Sequence, residues 1–210
     1  MSEGGRARVW LKICGITNRE DALAAIDAGA DALGFNLWPG SKRHISLDEN
    51  AAWMRDLPAA AERIAVLVDA PLAEALRVAE NPAIDAVQFH GNESAAYIAE
   101  FAKTGRPFVI ARRLGEAGEF SVEAKRILID ANVPGAFGGT GVTIDFDLAA
   151  QFVREHPNAR IILAGGLTPN NVAEAVDKVR PFGVDVASGV ERTSRAKDPE
   201  KIRAFVEALT

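Results

Sequence analysis

The chain has 210 residues, of which 48% are hydrophobic and 25% are charged, and these proportions fit one domain, residues 1–210, with a sizeable core. Its formal net charge of −5 comes without a basic stripe, which argues against nucleic acid as a partner. No apolar run approaches the roughly 20 residues that span a bilayer, the N-terminal stretch MSEGGRARVW lacks the apolar segment of a signal peptide, and a single cysteine cannot form an internal disulfide. We therefore expect a cytoplasmic protein without a membrane partner.

Short runs rich in Val, Ile, Leu and Ala recur along the chain and predict eight strands. Because these runs are nearly continuously apolar, they are typical of parallel strands that are covered on both faces. The predicted strands are Val9–Ile13, Ala32–Leu37, Arg63–Val68, Ala86–His90, Pro107–Arg112, Arg126–Asp130, Arg160–Ala164 and Gly183–Ala187.

Segments with helical signals alternate with the predicted strands. Thr17 and Ser46 each begin a capping box, TNRE and SLDE. Thr168 and Asp198 each precede a proline, which favours the first position of a helix. The segment 115–125 is too short for more than a stunted helix. Eight strand–helix units in 210 residues predict an α/β fold, a (β/α)₈ or TIM barrel with a parallel eight-stranded core. A doubly wound open sheet, which usually has five or six strands, is the alternative.

Small, glycine-rich loops follow the last three predicted strands. In such a barrel, phosphate is often bound by backbone N–H groups of the loops after strands seven and eight. Tight turning alone would explain the glycines of any one loop equally well, but three such loops on neighbouring strands favour a phosphate site. The candidate residues are Gly139 and Gly141 in GGTG, Gly165 and Gly166 in AGGL, and Ser188 and Gly189 in ASGVE.

Cys14 directly follows the first predicted strand, and Asp130 ends the sixth. These strands lie on opposed parts of an eight-strand ring, so both side chains are expected to reach the mouth of the barrel. A lone cysteine is more often inert and buried, but a thiol and a carboxyl on two sides of one pocket suit proton transfer, with one as base and the other as acid. A thiolate base needs nearby positive charge, for which Lys12 and Arg43 are candidates, whereas the acid must keep its proton. Nucleophilic attack by Cys14 is an alternative, although no nearby histidine would activate it.

Two further polar residues lie at or after the ends of predicted strands, Arg43 after the second and His90 as the last residue of the fourth. Arg43, in SKRHIS, has a guanidinium that suits a carboxylate or a phosphate, and a solvated loop arginine is an equal alternative. His90 either lines the pocket or bonds local backbone groups. The histidines lack metal-ligand spacing, and no GxGxxG opens a strand–helix unit. We therefore expect no metal and no cofactor.

Several motifs in this order resemble the phosphoribosylanthranilate isomerase family. The resemblance covers essentially the whole chain, and KICGIT and the segment from AGGL to SGVE are its most specific parts. The motifs are KICGIT, GADALGF, SKRHIS, DAVQFHGNES, LIDA with GGTG, ILAGGLTPNNV and VDVASGVE.

The resemblance implies a (β/α)₈ barrel that acts in tryptophan biosynthesis. The implied reaction is the Amadori rearrangement of N-(5-phospho-D-ribosyl)anthranilate to 1-(2-carboxyphenylamino)-1-deoxy-D-ribulose 5-phosphate, without cofactor or metal. Carried over by motif, Cys14 would be the general base and Asp130 the general acid. Arg43 would bind the anthranilate carboxylate, and the three glycine-containing loops would hold the phosphate.

Two other functions remain open at this stage. One is the related histidine-pathway isomerase, which performs the same rearrangement on a larger phosphosugar but would carry an aspartate in place of Cys14. The other is a barrel that binds phosphate without catalysis, against which the presence of both Cys14 and Asp130 argues. The expected partner is a small phosphosugar, and the sequence is compatible with a monomer or a homodimer.

Overall fold

The computed structural model describes residues 8–115, 125–131 and 143–210. Eight parallel strands form a closed barrel in which each strand pairs with the next along the chain and the eighth pairs with the first. The predicted barrel is thereby confirmed over the open sheet. The barrel strands are β1 (Trp10–Cys14), β2 (Ala32–Asn36), β3 (Glu62–Leu67), β4 (Ala86–Phe89), β5 (Phe108–Arg113), β6 (Arg126–Asp130), β7 (Arg160–Leu163) and β8 (Gly183–Val186).

Helices follow most of these strands and cover the outside of the barrel. The interior of the predicted short helix over 115–125 lies outside the described residues, as do Gly139 and Gly141. Within the described ranges, no helix is long and apolar enough to cross a membrane. The helices are α1 (Arg19–Asp27), α2 (Leu47–Arg55), α3 (Leu72–Glu80), α4 (Ala95–Ala102), α5 (Phe146–Glu155), α6 (Val172–Val179) and α7 (Pro199–Glu207).

Two of the predicted helix caps are confirmed. The Ser46 hydroxyl accepts a hydrogen bond from the Glu49 N–H at the start of α2. The Asp198 carboxylate accepts from two N–H groups of α7, which has Pro199 as its first residue. Both caps satisfy backbone donors that the first turn of a helix leaves without a partner.

The other two predicted caps are wrong. Asn18, not Thr17, caps α1, because its side chain accepts from the Asp21 N–H while the Thr17 hydroxyl donates to the Arg195 carbonyl. After Thr168 the chain forms a turn instead of a helix, and α6 begins only at Val172. In each case a neighbouring polar group offers a competing hydrogen bond that the capping pattern does not take into account.

The barrel interior is apolar over most of its length. Side chains of a strand alternate between the two faces, and the inward set forms two small clusters packed around Trp10, while the outward set joins the helices in the main core. The two inner clusters consist of Val109, Ala111, Leu128, Ile162 and Ala164, and of Ala32, Ile64 and Ala86.

A short hairpin follows β8, which the sequence analysis does not predict. A single turn of 3₁₀ helix at Ser188–Val190 leads into β9 (Glu191–Thr193), which pairs antiparallel with β10 (Ala196–Lys197). The Lys197 N–H donates to the Asp21 carboxylate and so ties the hairpin to α1. This connection places two charged side chains of the hairpin beside the mouth of the barrel.

Candidate active site

A pocket of about 570 Å³ opens where the strands of the barrel end. Its size fits a small-molecule site. Most of the residues singled out from the sequence line it together, but Gly189 is not among the lining residues, and Gly139 and Gly141 are outside the described part of the chain. The predicted site residues that line the pocket are Cys14, Arg43, His90, Asp130, Gly165, Gly166 and Ser188.

Cys14 is the last residue of β1 and is half-buried at the pocket wall. Its sulfur lies against the backbone of Gly34 on β2, where a Cβ atom would be only 2.7 Å from Sγ. Burial raises the pKa of the Cys14 thiol above its ordinary value, and the positive charge of Lys12 offsets this only in part. The expectation that nearby cations would lower the pKa of this thiol is therefore wrong for the free protein, because desolvation outweighs them.

A charged pair lies inside the barrel below Cys14. Lys12 is fully buried, and its Nζ donates to Asp185 Oδ1 at 2.8 Å. Burial alone would lower the pKa of Lys12, but the charges of Asp185 and of the Cys14 thiolate raise it above its usual value. The ammonium form of Lys12 is therefore the stable one, and it supplies a fixed positive charge next to the sulfur.

Asp130 ends β6 across the pocket from β1. One carboxylate oxygen accepts from the Ala131 N–H at 2.8 Å, and the other lies 3.6 Å from His90 Nε2. His90 Nδ1 is in turn 3.0 Å from the amide nitrogen of Gln88. The tautomer whose Nδ1 accepts from that amide carries its proton on Nε2, which faces Asp130. Of the two alternatives considered for His90, the structure has the one in which this residue lines the pocket.

Gln88 is a pocket residue that the sequence analysis did not identify. Its side chain is 1% exposed, and its carbonyl oxygen has no hydrogen-bond partner within the described residues. A buried acceptor without a partner is costly, and such groups often mark functional positions. Gln88 also lines the pocket, so this buried oxygen belongs to a residue of the pocket wall.

Arg43 does reach the pocket, but part of its guanidinium is already occupied. Its Nε and Nη2 donate to the two carboxylate oxygens of Glu191, each at 2.7 Å. Glu191 also accepts from Lys197, whose ammonium is fully buried. Two positive charges thus share one carboxylate, and the group carries a net positive charge that suits an anionic ligand. A guanidinium has five N–H donors, so the Nη1 side of Arg43 keeps donors beyond those bound to Glu191.

The glycines after β7 have backbone conformations that other residues rarely adopt. Gly165 and Gly166 have φ angles of +93° and +64°. A Cβ on Gly165 would lie 2.8 Å from both Asp130 Oδ1 and the Ala131 nitrogen. Gly165 therefore allows the β7 loop to approach the carboxylate of Asp130 closely.

Gly189 contributes to the site from behind the pocket wall. A Cβ on this residue would lie 1.9 Å from the Leu167 carbonyl oxygen, so only glycine fits between the loops after β7 and β8. The two loops are thereby held against each other, with Gly166 and Ser188 on the pocket side.

Comparison with known proteins identifies the family. The sequence profile of N-(5′-phosphoribosyl)anthranilate (PRA) isomerase matches residues 11–208. Over 205 residues the chain is 43% identical to N-(5′-phosphoribosyl)anthranilate isomerase of Thiobacillus denitrificans, an alignment that covers 94% of this chain and 96% of the relative. The chain belongs to the PRA isomerase family. The predicted class of enzyme, an isomerase of tryptophan biosynthesis, is thereby confirmed.

Solved structures of PRA isomerases share the barrel. The enzyme from Thermus thermophilus superimposes with a TM-score of 0.85 at 35% identity, covering 96% of this chain and 98% of that one. A PRA isomerase in complex with reduced 1-(o-carboxyphenylamino)-1-deoxyribulose 5-phosphate superimposes with a TM-score of 0.78 at 34% identity, with the same coverage. The predicted fold is confirmed by these structures as well as by the closed strand order.

Proposed function

We propose that this pocket converts PRA to 1-(2-carboxyphenylamino)-1-deoxyribulose 5-phosphate, with Asp130 as general acid and Cys14 as general base. The observation that carries the assignment of roles is that one thiol and one carboxyl, from β1 and β6, line the same pocket. An aldose-to-ketose rearrangement needs a proton delivered at one atom and removed at another. An acid and a base on separate strands can deliver the one proton and remove the other without either group having to move.

In the first step, Asp130 donates its proton to the ring oxygen of the furanose. The C1–O bond breaks, the ring opens, and the anthranilate nitrogen supplies the electron pair for a protonated imine. Asp130 suits this step because its first oxygen is fixed by the Ala131 N–H, while its second oxygen lies on the His90 side. The imidazole Nε2–H helps to hold the carboxylate that remains after proton transfer.

In the second step, the Cys14 thiolate removes the proton from C2 of the open-chain sugar. The electrons of the C–H bond form the C1=C2 bond and neutralise the iminium nitrogen, and the enolamine then tautomerises to the ketone. Burial raises the pKa of Cys14, which makes its thiolate a stronger base once formed. The positive charge that develops on the imine favours the thiolate at the moment at which it is needed.

Arg43 is the proposed site for the anthranilate carboxylate. Glu191 orients the guanidinium by two hydrogen bonds, and the donors on the Nη1 side remain for the substrate. The nearby Lys197 prevents Glu191 from cancelling the whole positive charge. This arrangement keeps Arg43 in place while preserving its attraction for an anion.

The loops after β7 and β8 are the proposed phosphate site. Gly165, Gly166 and Ser188 bring backbone close to the pocket, and the helix-like turn that begins at Ser188 directs N–H groups toward its start. The unpartnered carbonyl of Gln88 is the proposed acceptor for a sugar hydroxyl. A phosphate held at one side and a carboxylate at the other would hold C2 and the ring oxygen between Cys14 and Asp130.

The partner of this chain is thus a small phosphosugar. A relative with bound reduced product analogue supports this class of ligand. We place the reaction in the cytoplasm and assign it to the single domain of residues 1–210, acting as a monomer or a homodimer; one relative, from Thermotoga maritima, is described as dimeric.

The decisive test is the loss of anthranilate fluorescence when purified enzyme is added to PRA. Conversion at a rate that scales with enzyme concentration is expected, and the histidine-pathway intermediate should not be converted. Turnover of that intermediate alone would assign the barrel to the histidine pathway. Tight binding of PRA without turnover would instead leave a phosphate-binding barrel without catalysis.

A further inference from the structure

The buried pair Lys12–Asp185 is an exception inside the barrel. The two residues are register partners on β1 and β8, where the ring of strands closes. Lys12 is 0% exposed and Asp185 is 8% exposed. The other six strands contribute apolar side chains to the interior, for example Ala32, Ile64, Ala86, Val109, Leu128 and Ile162.

Packing does not explain this charged pair. Moving an ammonium and a carboxylate out of water is costly, and replacing a buried ion pair by apolar residues of similar volume is often neutral or stabilising. The inner clusters are apolar, and the charged pair that Glu62 and Arg126 form on the inward faces of β3 and β6 is partly exposed at the far end of the barrel. A reason for retaining the charges must therefore be sought in what lies next to them.

The sulfur of Cys14 lies next to them. A Cβ on Gly34 would be 2.7 Å from Cys14 Sγ and 3.0 Å from Lys12 Nζ, so both atoms occupy the space that the glycine leaves free. The ammonium is hydrogen-bonded to Asp185 and also lies within hydrogen-bonding reach of the sulfur. Lys12 thus stands between two groups that can each provide its negative counter-charge.

Other charged groups also face Cys14, but they already have partners or lie farther away. On the hairpin, Lys197 donates to Glu191, and Arg43 is bound to the same carboxylate. Across the pocket, His90 and Asp130 face each other. The charged and titratable groups around the thiol are Lys12, Asp185, Arg43, Glu191, Lys197, His90 and Asp130.

We propose that Lys12 and Asp185 are positioning residues that together set the base strength of Cys14, with Lys12 stabilising the thiolate and Asp185 competing with the thiolate for the same ammonium. With both charges in place, the thiol keeps its proton in the free enzyme, and it releases that proton to solvent, leaving the thiolate, when a positive charge develops on the substrate. This proposal rests on the role of Cys14 in the proposed function. It assigns the pair no contact with reacting atoms.

The two halves of the pair have opposite predicted effects. Without Lys12, the thiolate loses its nearest cation and remains beside the carboxylate of Asp185, so deprotonation becomes harder. Without the charge of Asp185, the thiolate becomes the remaining counter-ion of a buried ammonium, so deprotonation becomes easier. A residue pair that only supported the fold would not shift one property of the thiol in two directions.

The test is the pH dependence of Cys14 alkylation by iodoacetamide in the free, full-length enzyme. Cys14 is the only cysteine, so the signal belongs to one residue. Relative to the unsubstituted enzyme, Lys12→Met should move the midpoint of alkylation up by about one pH unit or more, and Asp185→Asn should move it down by a similar amount. The double variant Lys12→Met with Asp185→Asn should lie between the single variants. The basic limb of kcat/KM against pH should move in the same order.

Asp85→Asn is the matched control. Asp85 also forms an ion pair with a cation on a barrel strand, Arg63, but it precedes β4 and therefore lies at the far end of the barrel. This substitution should leave the midpoint unchanged. Equal midpoints in all variants, or shifts of Lys12→Met and Asp185→Asn in the same direction, would overturn the proposal. If Lys12→Met does not fold, Asp185→Asn and the double variant, which leaves no unpaired charge, still decide the question. Alkylation needs no turnover, so this outcome is independent of whether PRA is the substrate.

Discussion

The two ends of the barrel are built from the same eight strands but use their polar groups differently. At the end where the strands begin, charged side chains bind one another, as in the paired contacts of Arg126 with Glu62 and of Arg63 with Asp85. The interior at that end is closed by the indole of Trp10, which packs against both inner apolar clusters. Polar groups there have partners, and the arrangement serves stability.

At the end where the strands finish, polar groups are held ready for a ligand. The Gln88 carbonyl lacks a partner in the described part of the chain, and the Arg43 guanidinium has donors beyond its two bonds to Glu191. Left-handed backbone at non-glycine residues, in contrast, occurs at both ends, for example at Asp69 after β3 with a φ of +48° and at Arg180 before β8 with a φ of +53°. Within the described residues, the buried side-chain acceptor without a partner belongs to Gln88 at the pocket end, where its cost is accepted in exchange for function.

Among substitutions that test this difference between the two ends, the largest expected effect is on turnover and comes from the pocket end. Cys14→Ala and Asp130→Asn should each lower kcat by about 10²-fold or more, the usual contribution of general acid–base catalysis. Affinity for a product analogue should change much less, because neither residue anchors the phosphate or the carboxylate. Fluorescence kinetics give kcat, and isothermal titration with the reduced product gives affinity. Near-normal kcat in Cys14→Ala would remove this residue from the role of base.

The next largest expected effect concerns Glu191, which lies at the mouth of the barrel and also stabilises the fold. Glu191→Gln leaves Arg43 and the buried Lys197 without their carboxylate, and we expect a loss of about 3–5 kcal/mol in the free energy of unfolding at neutral pH. Urea unfolding measures this loss. A loss of this size would show that the charge pair at the mouth contributes more to stability than the more exposed charge pairs at the far end of the barrel.

The pH dependence of this effect has a definite sign. Burial alone would raise the pKa of Glu191, but the hydrogen bond from Arg43 and the charge of Lys197 hold it below its ordinary value. A carboxyl with a lowered folded-state pKa stabilises above its unfolded pKa, about 4.3, and loses that contribution as the pH falls through the folded-state pKa. The stability gap between the enzyme and Glu191→Gln should therefore narrow below about pH 4. A gap that stays constant into acid would show that Glu191 acts through shape, not charge.

At the end of the barrel opposite the mouth, a substitution should lower stability and leave catalysis unchanged. Ile64 is 0% exposed and packs inside the barrel near Trp10. Ile64→Ala should lower the free energy of unfolding by about 2–5 kcal/mol, and the matched Ile64→Val by about 0.5–1.5 kcal/mol. Ile64 is not among the residues that line the pocket, so kcat at a temperature where both variants are folded should stay close to that of the unsubstituted enzyme. A large fall in kcat for Ile64→Val would contradict the division between the two ends.

The sequence predicts the fold and much of the pocket because both follow from repetition. Eight apolar runs alternating with helical segments define the barrel, and parallel strands all finish at one face. The residues at the predicted strand ends, among them Cys14, His90 and Asp130, therefore had to meet, and they line one pocket. Their chemical roles follow only when these positions are combined with the family motifs.

What the sequence analysis missed depends on contacts between distant parts of the chain. The sequence analysis named Lys12 as a cation near Cys14 but not Asp185, although Asp185 likewise interrupts an apolar strand, which is a signal that could have been used. Their pairing, across 173 positions, exists only because β8 closes on β1. Glu191 and Lys197 belong to a hairpin whose strands have three and two residues, too short for an alternating pattern to be recognised. The partner that Arg43 finds in Glu191 was therefore beyond prediction.

The smallest change in catalysis that we predict concerns how Arg43 recognises its anion. Arg43→Lys keeps the positive charge but loses the planar fork, so one point charge must replace both the contacts to Glu191 and those to the substrate carboxylate. We expect KM for PRA to rise about tenfold, equivalent to about 1.4 kcal/mol, with kcat little changed.

A substrate analogue built on aniline, which lacks the carboxylate, separates recognition from support of the loop. The unsubstituted enzyme should lose about as much kcat/KM on this analogue as Arg43→Lys loses on PRA, and the variant should lose little more when it is given the analogue. The two changes would then remove one and the same interaction. Additive losses would mean that Arg43 acts through Glu191 and the hairpin, and that the carboxylate is bound elsewhere at the mouth.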